Sequence, residues 1–349
     1  MDIYVKNTAY ELVGLIDTAS SVIWTERYAD AGDFEIYIKA SADIIAMLQK
    51  GYYLEKQDSD RAMVIETGEI KTDTENGNFM TCGGRSLETI LSRRIVWKQT
   101  NLTGNAEDAV RRLITENFIS PEIPERKIPN MKLGPKQGFT EKIDMQVTGE
   151  TVEDTVKKIC KEFGWGYKII LEGTDFVFNL YKGTDRSYQQ NQVPYVTFSP
   201  EFDNLINSDY LFNTKDYKNV ALVAGEGEGT ARKTKAVGSA QGLERREIYV
   251  DSRNTSSNNG EITEQEYEAA LAAEGTQTLA EHTVTESFEG EVNYQTPYVY
   301  KTDFFMGDIV EVVNEYGISA TPRISEVIES EDETGHSIIP TFDYGGEEM

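Results

Sequence analysis

Apolar and polar residues alternate with a period of two along much of this chain, a pattern that predicts strands with one buried face. Phe34, Ile36 and Ile38 alternate with Glu35, Tyr37 and Lys39. Near the C-terminus, Gly307-Asp308-Ile309-Val310-Glu311-Val312-Val313 reads as a turn feeding another alternating strand. Gly317 marks the next turn, Arg323-Ile324-Ser325-Glu326-Val327 reads as the answering strand, and Gly335 with Pro340-Thr341-Phe342 closes the block. Asn76-Gly77 predicts a hairpin between strands near Arg61–Lys71 and Asn78–Cys82. Further strands are expected around Tyr195–Phe198 and Asn219–Ala224.

Helical periodicity interrupts this pattern in a few places. Ile44, Ile45 and Leu48 share one face of a short helix over Ala42–Lys50, stopped by Gly51. Ser86 opens another that carries Leu87, Ile90 and Leu91. Asn105 has the chemistry of an N-cap before the stripe Ala106, Ala109, Val110, Leu113 and Ile114. Pro121, Pro124, Pro129 and Pro135 exclude a helix and predict an ordered loop or extended arm. Thr151 starts a second amphipathic helix with Val152, Val156, Ile159, Cys160 and Phe163 on one face, ended by Gly164. A hairpin follows, with Tyr167–Leu171, the turn Glu172-Gly173-Thr174, and Phe176, Phe178 and Leu180 in alternation. Thr263 and Glu266 form a capping box for a helix carrying Tyr267, Ala270 and Leu271. The stretch Ser252–Gly260 reads as turns.

The chain is therefore an α+β, strand-rich protein in which residues 101–190 form a compact α/β unit inserted between strand-rich regions. Its 349 residues suffice for two or three domains. The 19 Tyr against 3 Trp fit a strand-rich or interface-rich chain, since tyrosine packs while its hydroxyl stays wet.

Charge narrows the function. Sixty acidic against 34 basic residues give a net charge of −26. Phosphate backbones are held by Lys and Arg, so stable nucleic-acid binding and attachment to an anionic membrane are not expected. No apolar run approaches the roughly 20 residues of a membrane span, and Met1-Asp2-Ile3-Tyr4 does not open a signal peptide. The two cysteines, Cys82 and Cys160, lie far apart without a CxxC, and indicate neither a zinc site nor a disulfide framework.

Candidate chemistry is sparse. Gly225-Glu226-Gly227-Glu228-Gly229 fits neither G-x-G-x-x-G nor the P-loop spacing, and its two glutamates oppose a phosphate; a tight glycine loop between strands is expected. Either His282 or His336 would have to serve a catalytic triad, but neither stands near a nucleophile motif, and both are expected to be exposed. Asp73–Asn78 and Glu331–Thr334 are rich in oxygen donors but lack the EF-hand spacing, as hairpin turns would. Arg111-Arg112 and Arg245-Arg246 are basic doublets suited to acidic neighbours at a subunit interface. No catalytic, cofactor-binding or metal-binding residues are assigned and no cofactor is expected. A hydrolase using paired carboxylates for cell-wall or glycan cleavage, and a glycan-binding module marked by exposed aromatics, stay open as alternatives.

Several stretches, in order, resemble the siphophage Gp37-like tail proteins, relatives of phage baseplate hub and tail-associated proteins. They are Tyr28-x-x-x-Gly32-x-Phe34-x-Ile36, Gly84-Arg85-Ser86-Leu87, Phe198-Ser199 with Asn204-Leu205, and Lys218-Asn219-Val220-Ala221-x-Val223-x-Gly225. Arg245-Arg246-Glu247-Ile248-Tyr249-Val250-Asp251 and the Gly307-Asp308 block with Arg323-Ile324 complete the set. The resemblance implies a non-enzymatic structural virion protein at the tail tip, assembled in the host bacterial cytoplasm. It implies a homotrimer whose subunits each give two tube-protein-like β-barrel domains to a ring that continues the tail tube and passes DNA. Implied partners are the distal tail protein, the tail tube proteins and the tape measure protein, with no membrane insertion by this chain. The implied division is residues 1–100 as the first barrel-like domain, completed by 191–230, then 101–190 as the inserted α/β domain, and 231–349 as the second. In that setting Arg323 is a candidate for an intersubunit or intrastrand ion pair. The chain ends at Met349, so the long C-terminal extension that carries lytic or receptor-binding regions in many tail-associated proteins is not expected. The hub of a contractile injection machine would share these features.

Overall fold

A computed structural model describes residues 1–75, 77–255, 257, 262–292 and 298–343, with 286–292 described by backbone alone. Eleven strands form one antiparallel sheet. Its order is Leu205–Asn213, Thr285–Val292, Gly335–Asp343, Arg323–Asp332, Ser21–Arg27, Asp33–Lys39, Gly77–Ser86, Ala62–Asp73, Tyr53–Lys56, Ile3–Lys6 and Leu12–Ile16. Leu205–Asn213 and Leu12–Ile16 stand at its two ends, so among the described residues this sheet is open and not a closed barrel.

The predicted alternation is realised in Asp33–Lys39, where Phe34, Ile36 and Ile38 are buried and Glu35, Tyr37 and Lys39 face out. The strand at Arg323 behaves differently from expectation. It runs Arg323–Asp332 and pairs with Gly335–Asp343 and with Ser21–Arg27, nearly 300 residues away in sequence, where Glu326 faces Arg27. The strand it was expected to answer is shortened to Glu311–Val313 and pairs instead with Ser319–Ala320 and Thr197–Phe198. Among the described residues an isolated bridge, Ile309 to Arg323, still links the two stretches, with Gly307 N donating to Ile324 O and Ile324 N to Asp308 O at 2.9 Å each. Of the expected hairpin turn, Asn76 lies outside the described residues, while its flanking strands pair from Asp73 opposite Gly77. Part of the turn-rich stretch from Ser252 to Gly260 also lies outside them.

Among the described residues four hydrophobic cores divide the chain. The first gathers Ile3, Val5, Trp24, Ile36, Leu54 and Met80 beneath the N-terminal strands. The second belongs to the α/β unit and already begins at Leu87, because the Ser86 helix is a 3-10 segment, Leu87–Arg93, that turns its apolar side inward. Helices Ala106–Ile114 and Val152–Phe163 start where predicted: Asn105 accepts from the Asp108 amide at 3.0 Å, and Thr151 from Asp154 at 3.0 Å. Gly164 ends the second helix in the left-handed region at φ 63°, which favours glycine. The proline-spaced connection is more regular than expected. Pro124 opens a single 3-10 turn, and Met131–Leu133 adds a parallel strand beside Asp175–Tyr181.

The third core joins Val196, Phe198 and Leu205 to Phe304, Val310, Val312, Ile324 and Phe342. Residues 191–230 were expected to complete the first domain. Their Val196, Phe198 and Leu205 pack here, and Ala221 and Val223 pack in the fourth core, because their strands pair with later segments rather than with 1–100. That fourth core is a small α/β unit carried between Leu205–Asn213 and Thr285–Val292. In it, helix Glu264–Glu281 lays Tyr267 and Leu271 on Val220–Ala224, and the Thr263–Glu266 capping box forms as predicted. The glycine cluster joins two of its strands, and Glu226 accepts from Ser257 N at 2.8 Å. Among the described residues no helix is long and apolar enough to cross a membrane.

Candidate functional site

A cluster of polar residues lies where the first, second and third cores meet. Arg61 precedes the apolar run Ala62-Met63-Val64-Ile65 and is buried with it. It pairs with Glu88 on the 3-10 segment and donates to Tyr181 Oη at 2.9 Å, Arg27 O at 3.2 Å and Tyr167 O at 3.3 Å. Glu88, fully buried, also accepts from Ile169 N at 3.1 Å. Beside them Glu26 accepts from Ser59 Oγ at 2.6 Å, Tyr300 Oη at 3.0 Å and Lys301 Nζ at 2.8 Å. Two cations and two carboxylates thus balance, and buried Arg61, Glu88 and Glu26 each have hydrogen bonds beyond their ionic partner, as buried charges require.

The electrostatics follow from that balance. Burial alone would raise the Glu26 carboxyl, but Lys301 and Arg61 outweigh it and hold the pKa at about 2. Burial works against the Arg61 charge, and Glu88, Tyr181 and Glu26 reverse that, so its pKa rises. Tyr300 is driven well up by burial and by the neighbouring Glu26 charge. Lys301 sits at φ 66°, a conformation uncommon for a side chain larger than glycine, and its amide donates to Phe304 O at 2.8 Å.

A second joint lies next to the first and explains the Gly307-Asp308 pair. Tyr28 Oη donates to Gly164 O at 3.0 Å and accepts from Gly183 N at 3.2 Å, so one phenol bridges both ends of the Gly166–Tyr181 hairpin. Its ring lies against Gly307, where an added Cβ would stand 2.1 Å from a ring carbon and where φ is +89°. Only glycine meets both demands. Asp308, buried, accepts from Thr184 N at 2.7 Å, Arg186 Nε at 2.7 Å and Phe305 N at 3.0 Å. Within the chain Arg323 donates to Gly307 O at 2.6 Å and covers the Tyr28 ring at 5.2 Å. The other motif residues also close joints: Gly32 N donates to Ser86 Oγ at 2.8 Å, and buried Asn204 braces Ser199 N at 2.8 Å and Thr197 O at 2.7 Å.

The remaining candidates are placed apart from these joints. Arg112 pairs with Glu116 one turn away and Arg245 with Glu247, so the basic doublets find partners within the chain. His336 lies on a strand rather than in a turn, is half-buried and stands 3.1 Å from Glu329. His282 caps the long helix, half-buried, with Nδ1 3.2 Å from Asp216 O. Both cysteines are buried thiols, and burial raises Cys82 to about 12 and Cys160 further. Among the described residues no three His, Cys, Asp or Glu side chains are grouped to hold a metal ion.

Sequence reasoning singled out Tyr28, Gly307, Asp308 and Arg323 but missed Glu26, Arg61, Glu88, Tyr181 and Lys301. The available signal was a charge inside an apolar run: Arg61 before Ala62-Met63-Val64-Ile65, and Glu88 within Leu87-Glu88-Thr89-Ile90-Leu91. The assembled site fastens three cores to one another.

The fold is shared with known tail proteins. The 43 kDa tail protein of prophage MuSo2 from Shewanella oneidensis superposes with a TM-score of 0.62 at 13% identity, over 99% of each chain. The tail protein from Neisseria meningitidis MC58 gives 0.59 at 15% identity, over 99% of this chain and 97% of that one. Prophage tail protein gp18 from Listeria monocytogenes EGD-e gives 0.56 at 10% identity, over 98% and 94%. No curated protein matches by sequence. The family model described as Siphovirus ReqiPepy6 Gp37-like protein matches residues 1–343, and the chain belongs to that family.

Proposed function

We propose that the chain is a non-enzymatic structural protein of a phage or prophage tail, the hub at the distal end of the tail tube. The observation that carries this reading is the fold likeness to the Shewanella prophage tail protein over 99% of both chains. In the proposed assembly three copies form a ring that continues the tube and lets DNA pass, in contact with the distal tail, tail tube and tape measure proteins. Residues 1–100 and the third-core segments around 196–205 and 304–342 supply the two tube-like lobes, with 101–190 as the external insert. The buried joints support this role, since a ring segment must transmit load without its lobes sliding.

The acidic surface suits a channel for DNA. Three copies would carry 3 × (−26) = −78 formal charges, and a negative wall keeps a polyanion from adhering. Native mass measurement of the purified chain, alone and with the tube protein, tests the ring, and immunogold labelling of virions tests its position. A trimer and label at the tail tip are expected. A monomer under both conditions, or label absent from virions, contradicts the proposal.

A further inference from the structure

A cleft beside the Asn204 joint, which braces its Thr197, has a different chemistry. Tyr188, Tyr195, Thr197, Phe202 and Tyr298 line an open depression of about 380 Å³, within the usual range for small-ligand sites. Tyr188, Tyr195 and Phe202 are 56%, 43% and 54% exposed. Single exposed aromatics are ordinary, but three in one depression are not. Among the described residues no charged side chain lines it, in a chain of net charge −26.

The rings are held in place before any ligand arrives. Tyr188 and Tyr195 meet edge to face, with centroids 5.2 Å apart and planes at 82°. Tyr188 Oη lies 2.7 Å from Thr197 Oγ1, and its backbone amide donates to Glu311 Oε1 at 3.0 Å. The loop that carries Tyr188 is tied by Gln190, whose amide side chain donates to Ser187 O at 3.2 Å and Val193 O at 3.1 Å and accepts from Val193 N at 3.0 Å. Phe202 ends a 3-10 turn capped by Ser199 and braced by Asn204. Such preorganisation lowers the entropy lost on binding.

We propose that this cleft binds a neutral saccharide. A sugar ring has an apolar C–H face and a rim of hydroxyls; the cleft offers aromatic faces beside the hydroxyls of Tyr188, Tyr195 and Thr197, the pairing that tyrosine supplies well. The uncharged lining among the described residues disfavours phosphorylated, sulfated or basic ligands, which need a counter-charge. The openness of the depression suits one or two rings of a longer chain rather than an engulfed metabolite. The inference is independent of the ring proposed above, since all five residues come from one chain.

The test is NMR titration of the full chain with maltotriose and chitotriose, with a galacturonic acid trimer as the anionic control. Saturable binding of at least one neutral trimer is expected, weakened about tenfold or more in both Tyr188→Ala and Phe202→Ala. Both side chains are more than half exposed, so these variants should keep the wild-type fold, and circular dichroism verifies it. Tyr195→Phe, which removes one hydroxyl, should weaken binding less. No saturation by either neutral trimer at about 10 mM, binding unchanged in both alanine variants, or tighter binding of the anionic trimer overturns the proposal. A change in self-association of the variants, without any effect of sugar, overturns it too and assigns the cleft to a protein contact.

Discussion

Two clusters of opposite charges in this protein look alike on paper and differ in what surrounds them. Arg61, Glu88 and Glu26 are enclosed where three cores meet, with Lys301 reaching Glu26 from the partly exposed edge. Arg232, Asp251 and Arg253 form an equally close cluster at the surface of the small fourth unit. At the surface, water and salt screen each charge, and holding long side chains in one geometry offsets most of the gain. Inside, no water replaces a lost partner, so removing one charge strands the others. Ion pairing by itself therefore says little about stability; enclosure turns the same contact into a joint between domains.

The sharpest break of that contrast is Arg61→Met. It leaves buried Glu88 without its ionic partner and takes from Glu26 the second of the two cations that hold it charged, and should cost about 3–5 kcal/mol in urea denaturation. Arg61→Met combined with Glu88→Leu should recover a large part of that loss, a coupling that a double-mutant cycle reads directly. Gly307→Ala tests the neighbouring joint, where both the positive φ and the Tyr28 ring oppose a methyl group. Together these should cost roughly 3–4 kcal/mol, seen as a lower denaturation midpoint.

Acid tests the enclosed cluster without mutation. The folded Glu26 carboxyl titrates at about 2 against 4.5 for the free group. The unfolded chain therefore binds the proton first as pH falls. The stabilisation, on the order of 3 kcal/mol, is whole above pH 4.5 and is lost progressively toward pH 2. Glu26→Gln should flatten that part of the stability–pH curve. Tyr28→Phe keeps the ring but loses the links to Gly164 and Gly183, and should cost about 1–2 kcal/mol. At the other extreme, Asp251→Asn should leave the thermal midpoint unmoved at physiological salt, and a shift there would erase the contrast.

The legible parts of the fold were those set by neighbours in sequence. Asn105, Thr151 and Thr263 capped their helices because an N-cap needs only the next three residues. Phe34, Ile36 and Ile38 declared their buried face by alternation alone. The pairing of Arg323–Asp332 with Ser21–Arg27 was hidden, since strand partners hundreds of residues apart leave no local trace. The site divided in the same way. Gly307 and Asp308 stood out as turn residues, but their task became visible only when Tyr28 and Thr184 were placed beside them. Arg61 and Glu88 looked like two of many charges, because burial is a property of the assembled cores.

Hydrogen exchange of wild type and Arg61→Met, followed peptide by peptide, tests most directly whether the enclosed charges join three cores. The account predicts that protection falls together in three segments distant in sequence: 59–65, 166–181 and 298–306. Loss confined to the loop around Arg61, with the hairpin and the Tyr300 segment as protected as before, would contradict it.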